Sequence, residues 1–237
     1  MKTTRSLSCA ALSTLLLAAA PALAVPLSDG SIYFETFTGN VAQDPKTNVI
    51  NTGATIANEM GDIVTTTPTE GVVRAANVGL GAAQEWVLSY DFRIREASGD
   101  NFYVLSMQSN SSTFQSGLHI RAYPVDASLR GLQIDYGAGL GSWFNFNINF
   151  NQTYTMTVHH KSATELDVWL DNGFVGTFAD ASAGLGIDLV QFGDGSGGAG
   201  YGSMVVDNIS IGNNIPEPAG AVALLAGAGL LVSRRRK

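Results

Sequence analysis

Residues 154–178, with the sequence YTMTVHHKSATELDVWLDNGFVGTF, decide the fold of this chain. Apolar residues occupy every second position over 154–158 and again over 166–170. This period of two is typical of β-strands that bury one face. The turn Asp171-Asn172-Gly173 then precedes a third short apolar segment, and Asn-Gly accepts the positive φ angles of a type I′ hairpin turn. The stretch therefore predicts three consecutive antiparallel strands.

The same alternation recurs outward along the chain, and no stretch shows sustained helical periodicity. About twelve strands are predicted. Besides the three above, they cover residues 32–37, 63–67, 72–76, 86–94, 102–107, 118–123, 132–135, 187–192 and 204–211. The strand at 102–107 is apolar at both parities, which predicts burial on both faces. With 45% apolar residues and 27 glycines, the composition excludes a disordered chain and favours short strands joined by tight turns. Residues 25–212 are thus predicted to form one all-β antiparallel sandwich.

This central pattern resembles the concanavalin A-like, laminin-G-type jelly roll. The features that carry the resemblance are the strand at 86–94, the hairpin segment VWLDNG at 168–173 and the closing strand VVDNISI at 205–211. That fold occurs in lectins, glycosidases and adhesion modules, so the resemblance implies a β-sandwich and leaves the function to be argued from the site.

The N-terminus has the pattern of a secretory signal peptide, residues 1–24. Lys2 and Arg5 precede an apolar run over residues 7–20, and Ala22-Leu23-Ala24 supplies the small residues that a signal peptidase recognises. Cleavage is expected between Ala24 and Val25. It would remove Cys9, the one cysteine, so the mature chain would contain no disulfide.

The C-terminus, residues 213–237, has the pattern of a second targeting signal. Residues 219–232 contain no charge and predict a single membrane helix of roughly 21 Å, short of the ~30 Å hydrocarbon core. Arg234, Arg235 and Arg236 with Lys237 follow it, and long cationic side chains reach the interface. The positive-inside rule places this basic end in the cytoplasm and the sandwich outside.

Pro216-Glu217-Pro218, followed by an apolar helix and a terminal arginine cluster, resembles the PEP-CTERM sorting signal. The resemblance covers about residues 214–237. It implies recognition by an exosortase, a membrane transpeptidase that is thought to cut near Pro-Glu-Pro, in Gram-negative bacteria that make exopolysaccharide. A signal peptidase and an exosortase are therefore the expected partners. The expected location is the cell envelope or the exterior, with transient anchoring in the inner membrane.

The charge distribution disfavours nucleic acid as a ligand. The chain has 13 basic and 20 acidic residues, and six of the basic ones lie in the two terminal segments. The acidic middle of the chain repels phosphate backbones but accepts divalent cations and neutral or cationic ligands.

No catalytic residues are predicted. Glu165 and Asp167 share one strand face but form no complete motif, since Trp169 and Leu170 stand where a glycosidase of the laminarinase type carries its second glutamate. An amphipathic strand with a solvated acidic face explains the pattern, although a glycoside hydrolase or lyase using this pair stays an alternative. The histidines, His119, His159 and His160, lack a spaced partner motif and are expected to be surface or incidental residues.

Binding is the favoured activity, and carbohydrate is the favoured ligand. Trp143 begins a stretch of aromatic residues interleaved with asparagines, and rings stack on sugars while amides match hydroxyls. The alternation equally fits a strand whose rings lie in the core and whose asparagines lie on the other face. Trp169 is expected to be an exposed ring on the acidic face of its strand. Glu35 and Asp207, on the first and last predicted strands, resemble the carboxylate pair that holds a structural calcium in many carbohydrate-binding jelly rolls. The sequence thus predicts a non-enzymatic, exopolysaccharide-binding envelope protein, with a purely structural surface protein as a further alternative.

Overall fold

The computed structural model describes residues 25–50, 54–58, 60–65, 72–98, 102–108, 118–124, 129–136, 142–162, 165–179, 186–193 and 201–215. These residues form 17 strands and one 3-10 turn, Thr38–Asn40. In chain order the strands are β1 (Leu27–Ser28), β2 (Tyr33–Glu35), β3 (Thr47–Ile50), β4 (Ala54–Ala57), β5 (Met60–Thr65), β6 (Val72–Leu80), β7 (Trp86–Ser98), β8 (Phe102–Gln108), β9 (Leu118–Pro124), β10 (Leu129–Tyr136), β11 (Ser142–Asn149), β12 (Tyr154–Ser162), β13 (Glu165–Leu170), β14 (Gly173–Ala179), β15 (Ile187–Phe192), β16 (Tyr201–Gly212) and β17 (Asn214–Ile215). The all-β prediction is confirmed.

The strands form two antiparallel sheets and a small clasp. Sheet 1 has the order β14-β13-β12-β7-β16-β5-β4, and β2 also pairs with β16; sheet 2 has the order β11-β10-β9-β8-β15-β6-β3. In the clasp, β1 pairs with β17, with Leu27 opposite Ile215 and Ser28 opposite Asn214. The three strands predicted from residues 154–178 are consecutive neighbours in sheet 1, as expected.

Alternation along the strands buries one face of each sheet against the other. On β7 every second side chain is at most 1% exposed, and these residues are Trp86, Leu88, Tyr90, Phe92 and Ile94. From sheet 2, Val190 and Phe192 join the same core, and the Phe192 ring centroid lies 4.8 Å from that of Tyr90. Each fully buried apolar side chain of this size contributes about 1.5–3 kcal/mol, so this shared core holds the two sheets together.

The sequence locates the long strands well and misses short ones. β15 has the predicted bounds, and residues 104–107 of β8 are 0% exposed at both parities, as expected. Five strands are not predicted from the sequence, namely β1, β3, β4, β11 and β17. Four of them have only two to four residues, too few to show a period. In β11 aromatic residues alternate with asparagines, which weakens the contrast between its two faces.

The hairpin between β13 and β14 forms where it is expected, but its geometry differs from the prediction. Asp171 is the turn residue with a positive φ, 52°, whereas a type I′ turn places positive φ angles at both central residues. Asp171 is tied to β12, because its N–H donates to Thr155 O at 2.7 Å and its carboxylate accepts from Thr155 N at 2.9 Å. These two bonds anchor Asp171 in the strained conformation.

The sandwich continues past its predicted end at residue 212. Asn213 is expected to be a linker residue, yet its O accepts from Asp29 N at 3.0 Å and its N donates to Asp29 Oδ1 at 2.8 Å. Strand β17 follows directly. The signal peptide, the membrane helix at 219–232 and the sorting residues Pro216, Glu217, Pro218, Arg234, Arg235 and Arg236 lie outside the described residues. Within the described ranges, no helix has the length and apolar character to cross a bilayer.

Candidate functional site

A row of polar side chains crosses sheet 2 on the face turned away from the core. Arg74 on β6, Gln191 on β15, Ser106 on β8 and His119 on β9 are successive register partners. Their neighbours along each strand point into the core, as shown by Val73, Ala75, Val190, Phe192, Leu105, Met107 and Ile120. Alternation therefore places the four polar residues together on the opposite face. We call these four residues the polar row.

Hydrogen bonds fix the half of the polar row on β8 and β9. Ser106 Oγ lies 2.9 Å from His119 Nδ1, and Gln108 Nε2 donates to the same Ser106 Oγ at 2.9 Å. Ser106 is 0% and His119 is 4% exposed. A buried polar group is stable only when it is hydrogen-bonded, so these bonds both stabilise the side chains and hold them in one orientation.

The other half of the row contains a cation. Arg74 donates from Nε and Nη2 to Gln191 Oε1, at 3.2 and 2.8 Å. Gln191 is 2% exposed and Arg74 is half-buried, and burial lowers the pKa of the Arg74 guanidinium. Next to Arg74 in the register stands the exposed Asn48 of β3. The row thus runs from a solvent-exposed edge inward across the sheet.

The register connects the polar row with the aromatic stretch. On β10, Asp135 is the register partner of His119, and Gln133 is the partner of Arg121, two residues further along β9. On its other side, Gln133 is the register partner of Trp143 of β11. The backbone therefore brings Trp143, a predicted ligand-binding residue, into the same sheet as the row. The hydroxyl, amide, guanidinium and imidazole groups of the row are the kinds of hydrogen-bonding group that sugar hydroxyls require.

Trp169 is buried, so the expectation that its ring is exposed is wrong. Its residue exposure is 2%, and its ring packs between His159, at a centroid distance of 6.3 Å, and Phe174, at 5.2 Å. Phe174 is the exposed ring of this group, at 41%. The sequence could not separate the two, because burial on the outer face of sheet 1 depends on neighbouring strands. A sugar cannot stack on the covered face of Trp169.

Glu165 and Asp167 lie on one face of β13, as predicted, but in unlike surroundings. Asp167 is 8% exposed and accepts from Thr177 Oγ1 at 2.5 Å and from Lys161 Nζ at 3.1 Å. Glu165 is exposed and lies 3.3 Å from the same Lys161 Nζ. These bonds raise the pKa of the Lys161 ammonium. The pair is thus part of an ion-pair network with a shared lysine, and it holds no free carboxylate directed at a cleft.

Glu35 has a structural role in the loop after β2. It is 0% exposed, and its carboxylate accepts from the backbone N–H groups of Phe37, Gln43 and Asp44 at 2.8 to 3.1 Å. Thr47 Oγ1 donates to Oε2 at 2.7 Å. Because these donors surround both oxygens, the Glu35 carboxylate is committed to holding the loop and is poorly placed to bind a cation.

Asp207 lies on β16, which neighbours β2 as the jelly-roll resemblance implies. Its register partner is Asp91 of β7, and a bulge follows in which Asn208 has a φ of 49°. Asn208 Nδ2 donates to Asp91 Oδ2 at 2.8 Å. Glu35 is opposite Ile209, which lies within this bulge, two positions from Asp207. Within the described ranges, no group of three His, Cys, Asp or Glu residues could hold a metal. The calcium ion on Glu35 and Asp207 stays a prediction, which the donors around the Glu35 carboxylate disfavour.

The three histidines have different positions, and two of them, His119 and His160, are buried and do not lie on the surface. His119 belongs to the polar row. His160 is 1% exposed, stacks in parallel on Trp86 at 4.9 Å, and its Nδ1 lies 2.7 Å from Gln84 O. His159 points to the opposite face of β12, where its Nε2 lies 2.8 Å from Glu85 Oε1. This hydrogen bond lowers the pKa of the Glu85 carboxyl.

Sequence reasoning did not identify Arg74, Gln191 or Ser106 as site residues. Each is a single polar residue between apolar neighbours, which is also the pattern of an ordinary solvated strand face. The strand order β6-β15-β8-β9 joins residues that are far apart in sequence. The one local signal, a weak one, was a glutamine between Val190 and Phe192 in a strand that is otherwise strongly apolar.

No protein-family model and no curated protein sequence matches this chain. Several solved structures share its fold. A sialidase superposes with a TM-score of 0.59 at 12% identity, over 80% of this chain and 18% of its own length. The binding domain of botulinum neurotoxin DC, in complex with rat synaptotagmin II, gives 0.58 at 12% identity, over 80% of this chain and 50% of that one.

The Trypanosoma rangeli sialidase in complex with sialic acid gives a TM-score of 0.59 at 14% identity, over 77% of this chain and 31% of the sialidase. This chain therefore spans half or less of each of these three structures. At such identities the similarity establishes the fold, an antiparallel β-sandwich of jelly-roll type, and no activity.

Proposed function

We propose that this chain is an exported β-sandwich protein of the cell envelope that binds polysaccharide and does not modify it. One observation carries the binding part of the proposal. The polar row places a guanidinium, an amide, a hydroxyl and an imidazole side by side across four strands of sheet 2, on the face away from the core. Arg74 is the half-buried member of the row, and its hydrogen bonds to the buried Gln191 fix its guanidinium. A group that is already fixed binds a ligand at a low entropic cost, because little ordering remains to be done.

The fold neighbours support saccharide as the first ligand class to test. The Trypanosoma rangeli sialidase was solved in complex with sialic acid. The neighbours are longer proteins, so their activities are a guide to the choice of ligand and nothing more.

The surroundings of the two carboxylates disfavour catalysis. Retaining glycoside hydrolysis needs one carboxylic acid and one free carboxylate about 5–5.5 Å apart. Asp167 is instead bonded to Thr177 and paired with Lys161, which also pairs with Glu165. These contacts leave neither carboxylate free to flank a glycosidic bond.

Glycan binding tests the main proposal. The full-length protein should retain a polysaccharide in affinity electrophoresis, and Gln191→Leu with Ser106→Ala should weaken the retention. Glu165→Gln and Asp167→Asn, on sheet 1, are the matched controls and should leave it unchanged. If the sheet 1 variants abolish binding while the sheet 2 variants do not, the assignment to the polar row is wrong. Reducing ends released from a β-glucan, and lost in the sheet 1 variants, would instead favour a hydrolase.

The export and sorting part rests on the terminal sequence patterns and has its own test. Intact-mass measurement of the envelope and secreted fractions should find a chain that begins at Val25 and lacks the residues after about Glu217. Recovery of the unprocessed chain in the cytosol would refute sorting by a signal peptidase and an exosortase.

A further inference from the structure

Arg74 is a half-buried cation that is hydrogen-bonded to a neutral group. Its Nε and Nη2 donate to Gln191 Oε1, and the described part of the chain supplies it with no carboxylate. Lys161, which is exposed, has two carboxylate partners, at 3.1 and 3.3 Å. The more buried of these two cations thus lacks the counter-charge that the more exposed one has.

This arrangement is unfavourable for the free protein. Taking a cation partly out of water costs free energy, and an anionic partner recovers more of it than a neutral amide does. The same desolvation lowers the pKa of the Arg74 guanidinium. The middle of the chain is rich in acidic residues, yet the register neighbour of Arg74 on β15 is the neutral Gln191.

We infer that the polar row is selective for acidic sugars and that Arg74 binds the sugar carboxylate. This inference rests on the proposed polysaccharide-binding function and specifies its ligand class. A guanidinium has five N–H donors in a planar fork, and Gln191 uses two of them, so an edge remains for a carboxylate. The Gln191 amide also fixes the plane of the fork. Gln191, Ser106 and His119 are at most 4% exposed, so they support the fork from the buried side, and the ligand contacts the half-buried Arg74 itself.

The exposure of the row indicates how the ligand approaches. Asn48, the register neighbour of Arg74 on the edge strand β3, is exposed, whereas Gln191, Ser106 and His119 are at most 4% exposed. A carboxylate therefore reaches Arg74 from the β3 side of the sheet. Two sources of anion share this chemistry, a uronic acid of the polysaccharide and a free carboxylic acid in solution, and the experiment distinguishes them.

The first experiment uses the unaltered full-length protein and needs no variant. Its binding to polygalacturonate oligosaccharides is measured by titration calorimetry and compared with the methyl esters of the same oligosaccharides. A charge-assisted hydrogen bond should make the free acid bind roughly tenfold tighter or more, and added salt should reduce this preference. Acetate at the same carboxylate concentration should compete only weakly with the oligosaccharides for binding, because acetate lacks the sugar hydroxyls. Strong competition by acetate would show a simple anion site and overturn the inference.

The second experiment uses variants. Arg74→Gln should abolish the preference for the free acid while weak binding of the methyl ester persists, and Arg74→Lys should restore it only in part, since an ammonium lacks the fork. Lys161→Gln, which changes the net charge equally, is the matched control and should keep the preference. A preference that survives in folded Arg74→Gln overturns the inference.

The failures of the two proposals are distinguishable. If the protein binds free acid and methyl ester equally, the carboxylate role of Arg74 is wrong and the polysaccharide-binding function stands. If it binds neither of these nor a neutral glucan, the proposed function fails and the inference falls with it.

Discussion

The Asp29 carboxylate joins the two ends of the sandwich through Asn213. Its Oδ1 accepts from Asn213 N at 2.8 Å and its Oδ2 from Asn213 Nδ2 at 3.0 Å. Ser31 N donates to the same Oδ1 at 2.9 Å. Residues 184 positions apart are thereby held together beside the β1–β17 clasp.

These hydrogen bonds predict a pH dependence of stability. Bonds from Ser31 and Asn213 hold the pKa of Asp29 well below its ordinary value of 3.8. A depressed folded-state pKa means that the contribution of Asp29 is complete above pH 3.8 and is lost as the pH falls through the lowered value. Asp29→Ala should therefore lower the melting temperature at neutral pH, and the gap to the unaltered protein should narrow in acid. A gap that widens on acidification would contradict this.

Gly212 allows the close approach of the two chain ends. A Cβ atom there would collide with Asp29 Oδ1 and lie 2.7 Å from Gly30 N. Gly212→Ala should therefore destabilise the fold by about 1–3 kcal/mol, the usual cost of overpacking. Gly81→Ala is the control, because its Cβ would meet only Gln84, at 3.5 Å. Urea unfolding midpoints measure both, and an equal small effect would show that the ends can separate at little cost.

The hydrogen bonds to Glu35 in the loop after β2 predict that the stability of the protein does not depend on calcium. Glu35 is fully buried and accepts four backbone and side-chain donors from Phe37, Gln43, Asp44 and Thr47. Glu35→Ala leaves the buried N–H of Phe37 without its acceptor, at a cost of about 1–3 kcal/mol, and also removes the acceptor of the part-buried N–H groups of Gln43 and Asp44. The variant should melt at a lower temperature, while calcium or a chelator should not shift the melting temperature of the unaltered protein. A marked calcium-dependent shift would restore the Glu35–Asp207 metal hypothesis.

A substitution of Trp169 tests whether its ring has a structural role or a ligand-binding role. Because it is 2% exposed and packs on His159 and Phe174, Trp169→Phe should lower stability and leave the affinity for polysaccharide unchanged. Glycan titration together with thermal melting checks both parts. A folded variant with a large loss of affinity would show that the ring contacts the ligand.

Particular residues show what the sequence could and could not predict. The period of two along β7 and β12 correctly predicts which side chains enter the core, because that information is local to each strand. The polar row depends on strand order: Arg74 and Gln191 are 117 positions apart and meet only because β15 lies between β6 and β8. Trp169 has the parity of its acidic neighbours, but parity cannot show that Phe174 and His159 cover it. Pairing of the short strand β17 with β1 likewise joins opposite ends of the sandwich, which no local pattern reveals.

The clasp predicts where the C-terminal segment can be removed without loss of the fold. Truncation after Ile215 keeps β17, the Asn213 bonds and the bond from Asn214 Nδ2 to Glu85 Oε1, at 3.2 Å. Truncation after Gly212 removes all of them and leaves Asp29 and Ser31 without Asn213. The variant truncated after Ile215 should melt within a degree or so of the full-length chain. The variant truncated after Gly212 should melt several degrees lower, because a loss of about 1 kcal/mol shifts the melting temperature by ~2–4 °C in a domain of this size. Because the proposed processing site near Glu217 lies beyond Ile215, a processed protein would retain the clasp. Equal melting of the two truncated forms would show that the clasp does not hold the sandwich closed.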